Sequence, residues 1–357
     1  MDHQLRRERL AARLPDLGAD ALLVTRLPNV RYLTGFTGSN GQVVLTTQQG
    51  VFLTDGRYTE QSRREVPQLE RRTYGADFAT AFAQACHDLG ASRVAFESSG
   101  VTYRFYEDLR EKAPDVELLP TRDEIERLRW VKEPEEIDMI QRAQDITDEG
   151  FERVLPKLGE GITEREAALE LEWAMRQAGA EGLSFDTIMA FGESAAEPHH
   201  HPSDRPLGRG DIVKMDFGAL HAGYHADCTR TVAFGEPPEE LRQIHDLVAR
   251  AQQAGIDAVQ AGIMGREADA AARRVIEEAG FGERFSHSLG HGVGLEVHEG
   301  PTLRGPSEDV LPENAVVTVE PGVYVPGLGG VRIEDMVVVT ADGCRVMPRS
   351  TRELVVL

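Results

Sequence analysis

Two segments of alternating sequence, each with a pair of carboxylates on either side of a turn, constrain the fold of this chain more than any other feature. The first segment, residues 211–234, contains Asp216 and Asp227, and the residues around each aspartate are β-branched or alternate between polar and apolar, as in β-strands. A turn centred between His221 and Ala222 would make the two aspartates cross-strand partners, with Cβ atoms about 5 Å apart. Because like charges at that separation repel each other, the pattern predicts a positively charged group between them.

The second segment, residues 314–340, repeats this arrangement around a glycine-rich turn. Glu320 and Glu334 have the same parity on opposing strands, so their side chains can share a face. His291, which lies between two glycines, adds an imidazole. This donor set suits two hard or borderline divalent ions, and we predict Mn²⁺, with Co²⁺ or Zn²⁺ as alternatives. Two such ions activate a nucleophile and polarise a carbonyl or phosphoryl group.

Two further histidines lie close to His291 in the sequence. If side chains alternate between the two faces of a strand, His287 faces the same way as His291. His298 then faces the opposite way, unless the neighbouring glycines reset the register. Both are candidate donors to a developing oxyanion, or proton shuttles. A packed loop histidine is the alternative for either one.

A third group of histidines is the run His199, His200 and His201, which is bounded by prolines. Three adjacent side chains cannot all face one ion, so we expect one functional member and two without a role in the site. A metal-binding patch of low sequence complexity is the competing interpretation.

Together these motifs resemble those of the metallopeptidases with the pita-bread fold, namely methionine aminopeptidases, prolidases (Xaa-Pro dipeptidases) and Xaa-Pro aminopeptidases. The resemblance extends from about residue 125 to residue 357 and places the expected residue type at all five ligand positions. It implies that Asp216 and Glu334 contact two metal ions, that Asp227 completes one site, and that His291 and Glu320 complete the other.

The same resemblance implies roles for the residues around the metals. Glu320 would also be the base that handles the proton of a water bridging the two metals. His298 would steady the scissile carbonyl and the tetrahedral intermediate, and His199 and His287 would line the pocket beside proline. Arg332 would support the carboxylate network or bind a substrate carboxylate.

The implied function is that of an exopeptidase acting on proline-containing peptides at the N-terminal Xaa-Pro bond, with a homodimer as the implied assembly. Residues 31–41 and 53–58 look more like the corresponding stretches of Xaa-Pro aminopeptidases than those of prolidases, so we predict the aminopeptidase and keep the dipeptidase as the alternative. Non-catalytic pita-bread binding proteins and metal-free creatinase-type hydrolases are disfavoured, because both would lack ligands that this chain has.

The order of predicted elements divides the chain at residues 125 and 126. Helices near 4–15 and 76–89 alternate with strands and a hairpin, which predicts an α/β N-terminal domain, creatinase-like by the resemblance. In residues 126–357, helices followed by an acid-bearing hairpin occur twice. This predicts an α+β C-terminal domain, for which the resemblance implies a pseudo-twofold curved antiparallel sheet.

The composition of this chain disfavours some classes of binding partner and some locations. It has 60 acidic and 39 basic residues and a formal net charge of -21, which disfavours nucleic-acid binding. The sequence has neither a membrane-spanning run nor an apolar leader, so the predicted location is the cytoplasm. Three scattered cysteines disfavour a disulfide framework, and we interpret Cys228 as a packing residue.

Overall fold

The computed structural model describes residues 1–357, which divide into two compact units, Met1–Arg129 and Trp130–Leu357. The sequence interpretation places this division four residues earlier, after residue 125. No helix has both the length and the apolar composition that a membrane span requires.

The first unit is built on one six-stranded mixed sheet with the strand order β4-β3-β2-β1-β5-β6. Its strands are β1 (Ala21–Val24), β2 (Gln42–Thr46), β3 (Gly50–Asp55), β4 (Glu70–Tyr74), β5 (Arg93–Glu97) and β6 (Glu117–Thr121). Its helices are α1 (His3–Ala11), α2 (Leu27–Thr34), α3 (Thr59–Glu65), α4 (Phe78–Leu89), α5 (Tyr103–Lys112) and α6 (Glu126–Trp130). Pairs β1/β5, β5/β6 and β3/β4 are parallel, which is typical of α/β architecture.

Helix α2 is not among the helices predicted from the sequence. It begins at Leu27 with Pro28 in its first turn, where the missing N–H of proline costs no hydrogen bond. It ends at Gly35, whose φ of 79° is the left-handed conformation that glycine adopts easily at a helix end. The predicted β2/β3 hairpin is confirmed, with Val43 paired to Phe52.

The second unit contains two pairs of long helices, each followed by antiparallel strands. The first pair is α7 (Pro134–Val154) and α8 (Glu164–Gln177), followed by β7 (Gly182–Leu183), β8 (Ile188–Phe191), β9 (Ile212–Phe217), β10 (Ala219–His221), β11 (Tyr224–His225) and β12 (Cys228–Ala233). The second pair is α9 (Glu239–Ala258) and α10 (Gly265–Glu278), followed by β13 (Gly290–Gly292), β14 (Glu299–Leu303), β15 (Val316–Val319), β16 (Gly322–Val325), β17 (Gly329–Arg332), β18 (Asp335–Thr340) and β19 (Gly343–Val346).

Each helix pair buries an apolar face against its own strands. Phe151 of α7 stacks on Phe217 of β9, with ring centroids 6.1 Å apart, inside a cluster that also contains the buried Cys228. In the other half, α9 and α10 pack on β15 and β18 through residues such as Ile276 and Val319. A buried aliphatic side chain stabilises a fold by about 1.5–3 kcal/mol, so these two clusters hold the strands rigidly beneath the site.

The first acid-bearing hairpin forms, but its register differs by one residue from the prediction. His221 pairs with Tyr224, so the turn is centred between Ala222 and Gly223. Asp216 therefore lies opposite Thr229, and the predicted pairing with Asp227 is wrong. Ala222 and Gly223 both have positive φ, 49° and 75°, as a two-residue hairpin turn of the I′ type requires.

The second acid-bearing hairpin has the predicted register. Val319 pairs with Asp335 in one strand pair, and Gly322 pairs with Arg332 in the next. Glu320 and Glu334 are therefore opposite each other in one continuous register, at an interruption between the two strand pairs. At this interruption their side chains can turn toward a common centre.

Candidate metal centre

Four carboxylates and one imidazole converge at the strand interruptions. Potential ligand atoms lie within 4.8 Å of one another in each of three groups, which are Asp216, Asp227 and Glu334; His291, Glu320 and Glu334; and Asp227, His291 and His298. Glu334 belongs to two of these groups, and so does Asp227. The structure thus brings together all five residues that the sequence singles out as ligands, although Asp216 and Asp227 do not face each other across strands.

The glycines around His291 let three strands approach each other closely. A Cβ atom on Gly290 would lie 2.0 Å from the carbonyl oxygen of Thr318, and one on Gly292 would lie 2.1 Å from that of Gly300. Larger residues would push β13 away from its neighbours. The pairing of β13 with β14 also shifts register between the two glycines, and His298 lies in the loop that joins these strands, where strand parity does not apply.

The imidazole of His291 has a defined orientation. Its Nδ1 lies 3.1 Å from the carbonyl oxygen of Gly292, and since a carbonyl only accepts, Nδ1 is the donor. Its Nε2 lies 3.3 Å from Glu320 Oε1 and 3.6 Å from Asp227 Oδ2. A backbone hydrogen bond at one ring nitrogen that directs the other toward acidic oxygens is the usual arrangement of a metal-ligating histidine.

Two buried oxygens of this cluster test whether a metal fits. Asp216 Oδ1 and Glu334 Oε1 are inaccessible to solvent and have no hydrogen-bond partner, although their companion oxygens are bonded to Arg332 and Thr229. Buried carboxylate oxygens without a donor are costly, and divalent cations satisfy them. The donor set therefore fits hard or borderline divalent ions.

The electrostatics of the cluster favour the binding of a cation. Burial raises the pKa of Asp216, Asp227 and Glu334, and repulsion from the neighbouring carboxylates raises it further. Burial opposes the charge of Glu320 as well, but the hydrogen bond and charge of His291 lower the pKa of Glu320 to about 2. In turn Glu320 raises the pKa of His291 against the effect of burial.

Two threonines orient the carboxylates, and the sequence interpretation missed both. Thr229 Oγ1 donates to Glu334 Oε2 at 2.7 Å. Thr318 Oγ1 lies 3.1 Å from Glu320 Oε1 and accepts the backbone N–H of His291, also at 3.1 Å. A spacing of two residues from a carboxylate was an available signal for both, because residues two apart along a strand share a face.

Arg332 is engaged in the carboxylate network. Its guanidinium pairs with Asp216 and donates to Thr229 Oγ1 at 2.9 Å and to Tyr324 Oη at 2.8 Å. The Tyr324 hydroxyl is in turn 2.8 Å from His287 Nε2, while His287 Nδ1 lies 2.8 Å from the carbonyl oxygen of Ser288. Both ring nitrogens of His287 are therefore occupied, so this histidine forms a wall of the site and offers no free donor.

The candidate ligands open onto one cavity of about 550 Å³, which the three predicted pocket histidines also line. His298 is exposed, and its ring packs edge-to-face on that of His291 at 4.4 Å. Burial lowers the pKa of His287 and His298, the charge of Arg332 lowers that of His287 further, and the proximity of His291 lowers that of His298 further. Asp186 also lines the cavity, although the sequence analysis did not select it.

Comparison with protein families identifies this architecture. Residues 138–341 match the model of Metallopeptidase family M24, and residues 6–131 match that of the Creatinase/Prolidase N-terminal domain. The chain belongs to this metallopeptidase family. The predicted resemblance and fold class are thereby confirmed, with an α/β creatinase-like domain followed by a pita-bread domain.

Members of the family with solved structures align along the whole chain. A structure described as Xaa-Pro dipeptidase from Bacillus anthracis has a TM-score of 0.97 and 40% identity, covering 100% of both chains. One described as X-Pro aminopeptidase from Thermotoga maritima has a TM-score of 0.90 and 38% identity, covering 99% of this chain and 100% of the other. A Pyrococcus horikoshii protein named Xaa-Pro dipeptidase is 38% identical over 94% of each chain.

For a metallopeptidase of this family, the raised carboxyl pKa values predict how metal stabilisation depends on pH. A carboxyl group whose pKa is raised by folding stabilises the protein at pH values below its ordinary pKa near 4. That contribution is lost as the pH rises through the raised pKa. A divalent cation removes the repulsion, so Mn²⁺ should stabilise the protein more at pH 8 than at pH 6. A free Mn²⁺ concentration of about 100 times the dissociation constant should add roughly 2.7 kcal/mol to the free energy of unfolding, or about 5 °C to the Tm.

Thermal unfolding of metal-depleted protein with and without Mn²⁺ at the two pH values measures this effect. In an Asp227→Asn variant the gain should be smaller, because one candidate ligand is lost. A gain in Tm that falls as the pH rises would contradict the prediction.

Proposed function

We propose that this protein is a metal-dependent exopeptidase that hydrolyses the Xaa-Pro bond at the N-terminus of peptides, an Xaa-Pro aminopeptidase. The observation that supports this is the convergence of the five ligand residues and the pocket histidines on one cavity. Proline has no N–H and a locked φ, so a protease that binds its substrate as a β-strand loses a hydrogen bond there. A site that activates the peptide carbonyl by charge does not depend on that strand pairing.

The proposed cofactor is a pair of Mn²⁺ ions, which would supply Lewis-acid polarisation of the scissile carbonyl and make a water more acidic. Asp216 and Glu334 would contact both ions, Asp227 would complete one site, and His291 and Glu320 would complete the other. A homodimer is the proposed assembly, on the basis of the resemblance to pita-bread peptidases.

The remaining chemistry is assigned to residues of the chain itself. Glu320 is ionised, so its carboxylate can accept a proton from the attacking water and pass it to the departing amine. His298 is exposed in the cavity and is the candidate donor to the oxygen of the scissile carbonyl. His199 and His287 would form the wall beside proline. The exposed carboxylate of Asp186 has the charge to attract the N-terminal ammonium of a peptide.

The state of Arg332 favours peptides longer than two residues. It is the one arginine or lysine that lines the cavity, and it is 2% exposed and paired with Asp216. Binding of a dipeptide carboxylate by Arg332 would compete with this buried ion pair. A longer peptide places its C-terminal carboxylate further from the metal centre and needs no such partner.

An Xaa-Pro dipeptidase is the second candidate. It is favoured by the names of the Bacillus anthracis and Pyrococcus horikoshii relatives. The imidazole N–H groups of His199, His201 or His298, which line the same cavity, could then take the place of Arg332 as partners of the dipeptide carboxylate.

Product analysis on matched peptides separates the two candidates. The protein with Mn²⁺ is incubated with Xaa-Pro, Xaa-Pro-Yaa-Zaa, Xaa-Ala-Yaa-Zaa and an N-acetylated Xaa-Pro-Yaa-Zaa, and the products are identified by mass spectrometry. We expect release of Xaa from the free tetrapeptide that contains proline, with a higher kcat/KM than for the dipeptide. Cleavage of the dipeptide alone would establish the dipeptidase, and absence of cleavage before proline would refute both candidates.

A further inference from the structure

His199 lies in a loop, residues 197–203, that is attached to the catalytic unit on both sides of this residue. On one side, Lys214 Nζ lies 3.4 Å and Arg332 Nη1 lies 3.3 Å from the carbonyl oxygen of Pro198. On the other side, Glu164 holds His200 and Ser203. We call this segment the histidine loop, and the position of His199 depends on both attachments.

Glu164 is the first residue of α8 and is fully buried. Its Oε1 accepts the backbone N–H of Phe191 at 2.8 Å. Its Oε2 accepts from His200 Nε2 at 2.8 Å, from the Ser203 backbone N–H at 2.9 Å and from Ser203 Oγ at 2.5 Å. Four donors around one buried carboxylate make it a strong anchor, because a hydrogen bond to a charged group is stronger than one between neutral groups.

His200 is held between two carboxylates. Its Nε2 lies 2.8 Å from Glu164 Oε2, and its Nδ1 lies 2.8 Å from Glu197 Oε2. Ionised carboxylates can only accept, so both ring nitrogens must carry hydrogens and the ring is an imidazolium. Burial lowers the pKa of His200, but Glu197 and Glu164 outweigh it and raise the pKa above the ordinary value.

The two carboxylates contribute unequally to this arrangement. The Glu164 side chain is 0% exposed and cannot turn away, whereas that of Glu197 is 71% exposed and can rotate into solvent. A surface ion pair contributes little to stability, so the buried contact is the stronger constraint on the loop. His200 thus supports the cavity wall and is not a ligand of the centre.

We propose that Glu164 and His200 form a positioning pair that holds the histidine loop so that His199 faces the substrate cavity. The inference builds on the proposed function, because it assigns the pair to substrate binding at the same site. Neither residue touches the reacting atoms, so loss of the pair should weaken substrate binding and leave the chemical step largely intact.

The pair also predicts a pH effect on the Michaelis constant. A neutral His200 has one N–H and can donate to only one carboxylate, so the loop loses an anchor as the pH rises through the raised pKa of His200. Because the remaining N–H can stay on Glu164, the KM for an Xaa-Pro peptide should rise only slightly across that range, by much less than in a variant that has no donor at position 200.

Four variants of the Mn²⁺-loaded full chain test the proposal kinetically. Glu164→Gln and His200→Leu should each raise the KM for Xaa-Pro-Yaa-Zaa about tenfold and change kcat less than threefold. His200→Gln keeps one donor toward Glu164 but cannot titrate, so it should restore most of the affinity and remove the rise of KM with pH. Glu170→Gln is the matched control on the same helix, in a surface pair with Lys157, and should leave both constants unchanged. An unaltered KM in His200→Leu would overturn the proposal, even if Glu164→Gln does not fold.

A second measurement does not depend on peptidase activity. In protein with ¹³C-labelled histidine, the imidazole signal of His200 is assigned by its loss in His200→Gln and followed against pH. We expect the imidazole of His200 to titrate above 6.5, the ordinary pKa of histidine, in the wild type, and at a lower pH in Glu164→Gln. Titration of His200 at or below 6.5 in the wild type would refute the imidazolium pair. Absence of peptide cleavage with a normal titration would instead refute the proposed function.

Discussion

Removal of bound metal by a chelator should reduce hydrolysis before proline to the background rate, and added Mn²⁺ or Co²⁺ should restore it. The reason is the cluster of four buried carboxyl groups, Asp216, Asp227, Glu320 and Glu334, in which burial and mutual repulsion raise the pKa of three members and which a divalent cation would stabilise in the ionised form. Without metal, no other group in the cavity can polarise a peptide carbonyl as strongly. The measurement is peptide hydrolysis before and after dialysis, with metal content determined on the same samples.

Loss of activity on chelation has to be separated from unfolding. Circular dichroism of the depleted protein should show retained secondary structure, since both helix pairs pack on the strands through apolar clusters that contain none of the carboxylates. An Asp227→Ala variant serves as the comparison and should regain little activity at metal concentrations that restore the wild type. Full activity in a sample with no detectable metal would refute the metal-dependent mechanism.

Replacement of Glu320 by glutamine should lower kcat by about a thousandfold, within the range that general acid–base groups contribute, while peptide binding is largely kept. The amide keeps the size of the side chain and its oxygen toward Thr318, but it cannot accept the proton of the attacking water. Binding is measured by calorimetry with the tetrapeptide as ligand, and turnover is measured under the same conditions.

Glu320 is also a candidate metal ligand, so the metal content of the variant must be measured alongside its kinetics. Glu313→Gln offers a matched control, because Glu313 is exposed and precedes β15 by three residues. That control should behave as the wild type does. A Glu320→Gln enzyme with normal metal content and unchanged kcat would remove Glu320 from its role as the base.

The sequence predicts the two hairpins because their alternation and turn residues are local properties. In the second hairpin the glycine-rich turn lies midway between two glutamates of equal parity, and the predicted register is confirmed. In the first, Ala222 occupies a left-handed position that residue preferences assign to glycine or asparagine, so the turn was placed one residue too early. Helix α2 was missed because it is short and its sequence neighbours are rich in glycine.

In the site, too, local features could be predicted from the sequence, whereas contacts between distant segments could not. Ligand types and order are visible in the sequence, whereas the Tyr324 bridge between Arg332 and His287 depends on how separate strands pack. The contact of Glu164 with His200 spans 36 residues and joins a helix start to a loop. The capping box of Thr163 and Glu166 that opens this helix is, by contrast, a local pattern of four residues.

The second acid-bearing hairpin continues beyond its carboxylates to an exposed tip at Pro326 and Gly327. Strand pairs lie on both sides of Glu320 and Glu334, so the positions of the two carboxylates are set before the chain reaches this tip. Exposed loop tips tolerate inserted residues well. The tip is therefore a suitable point of attachment for a fluorescent label or an affinity peptide on an otherwise intact enzyme.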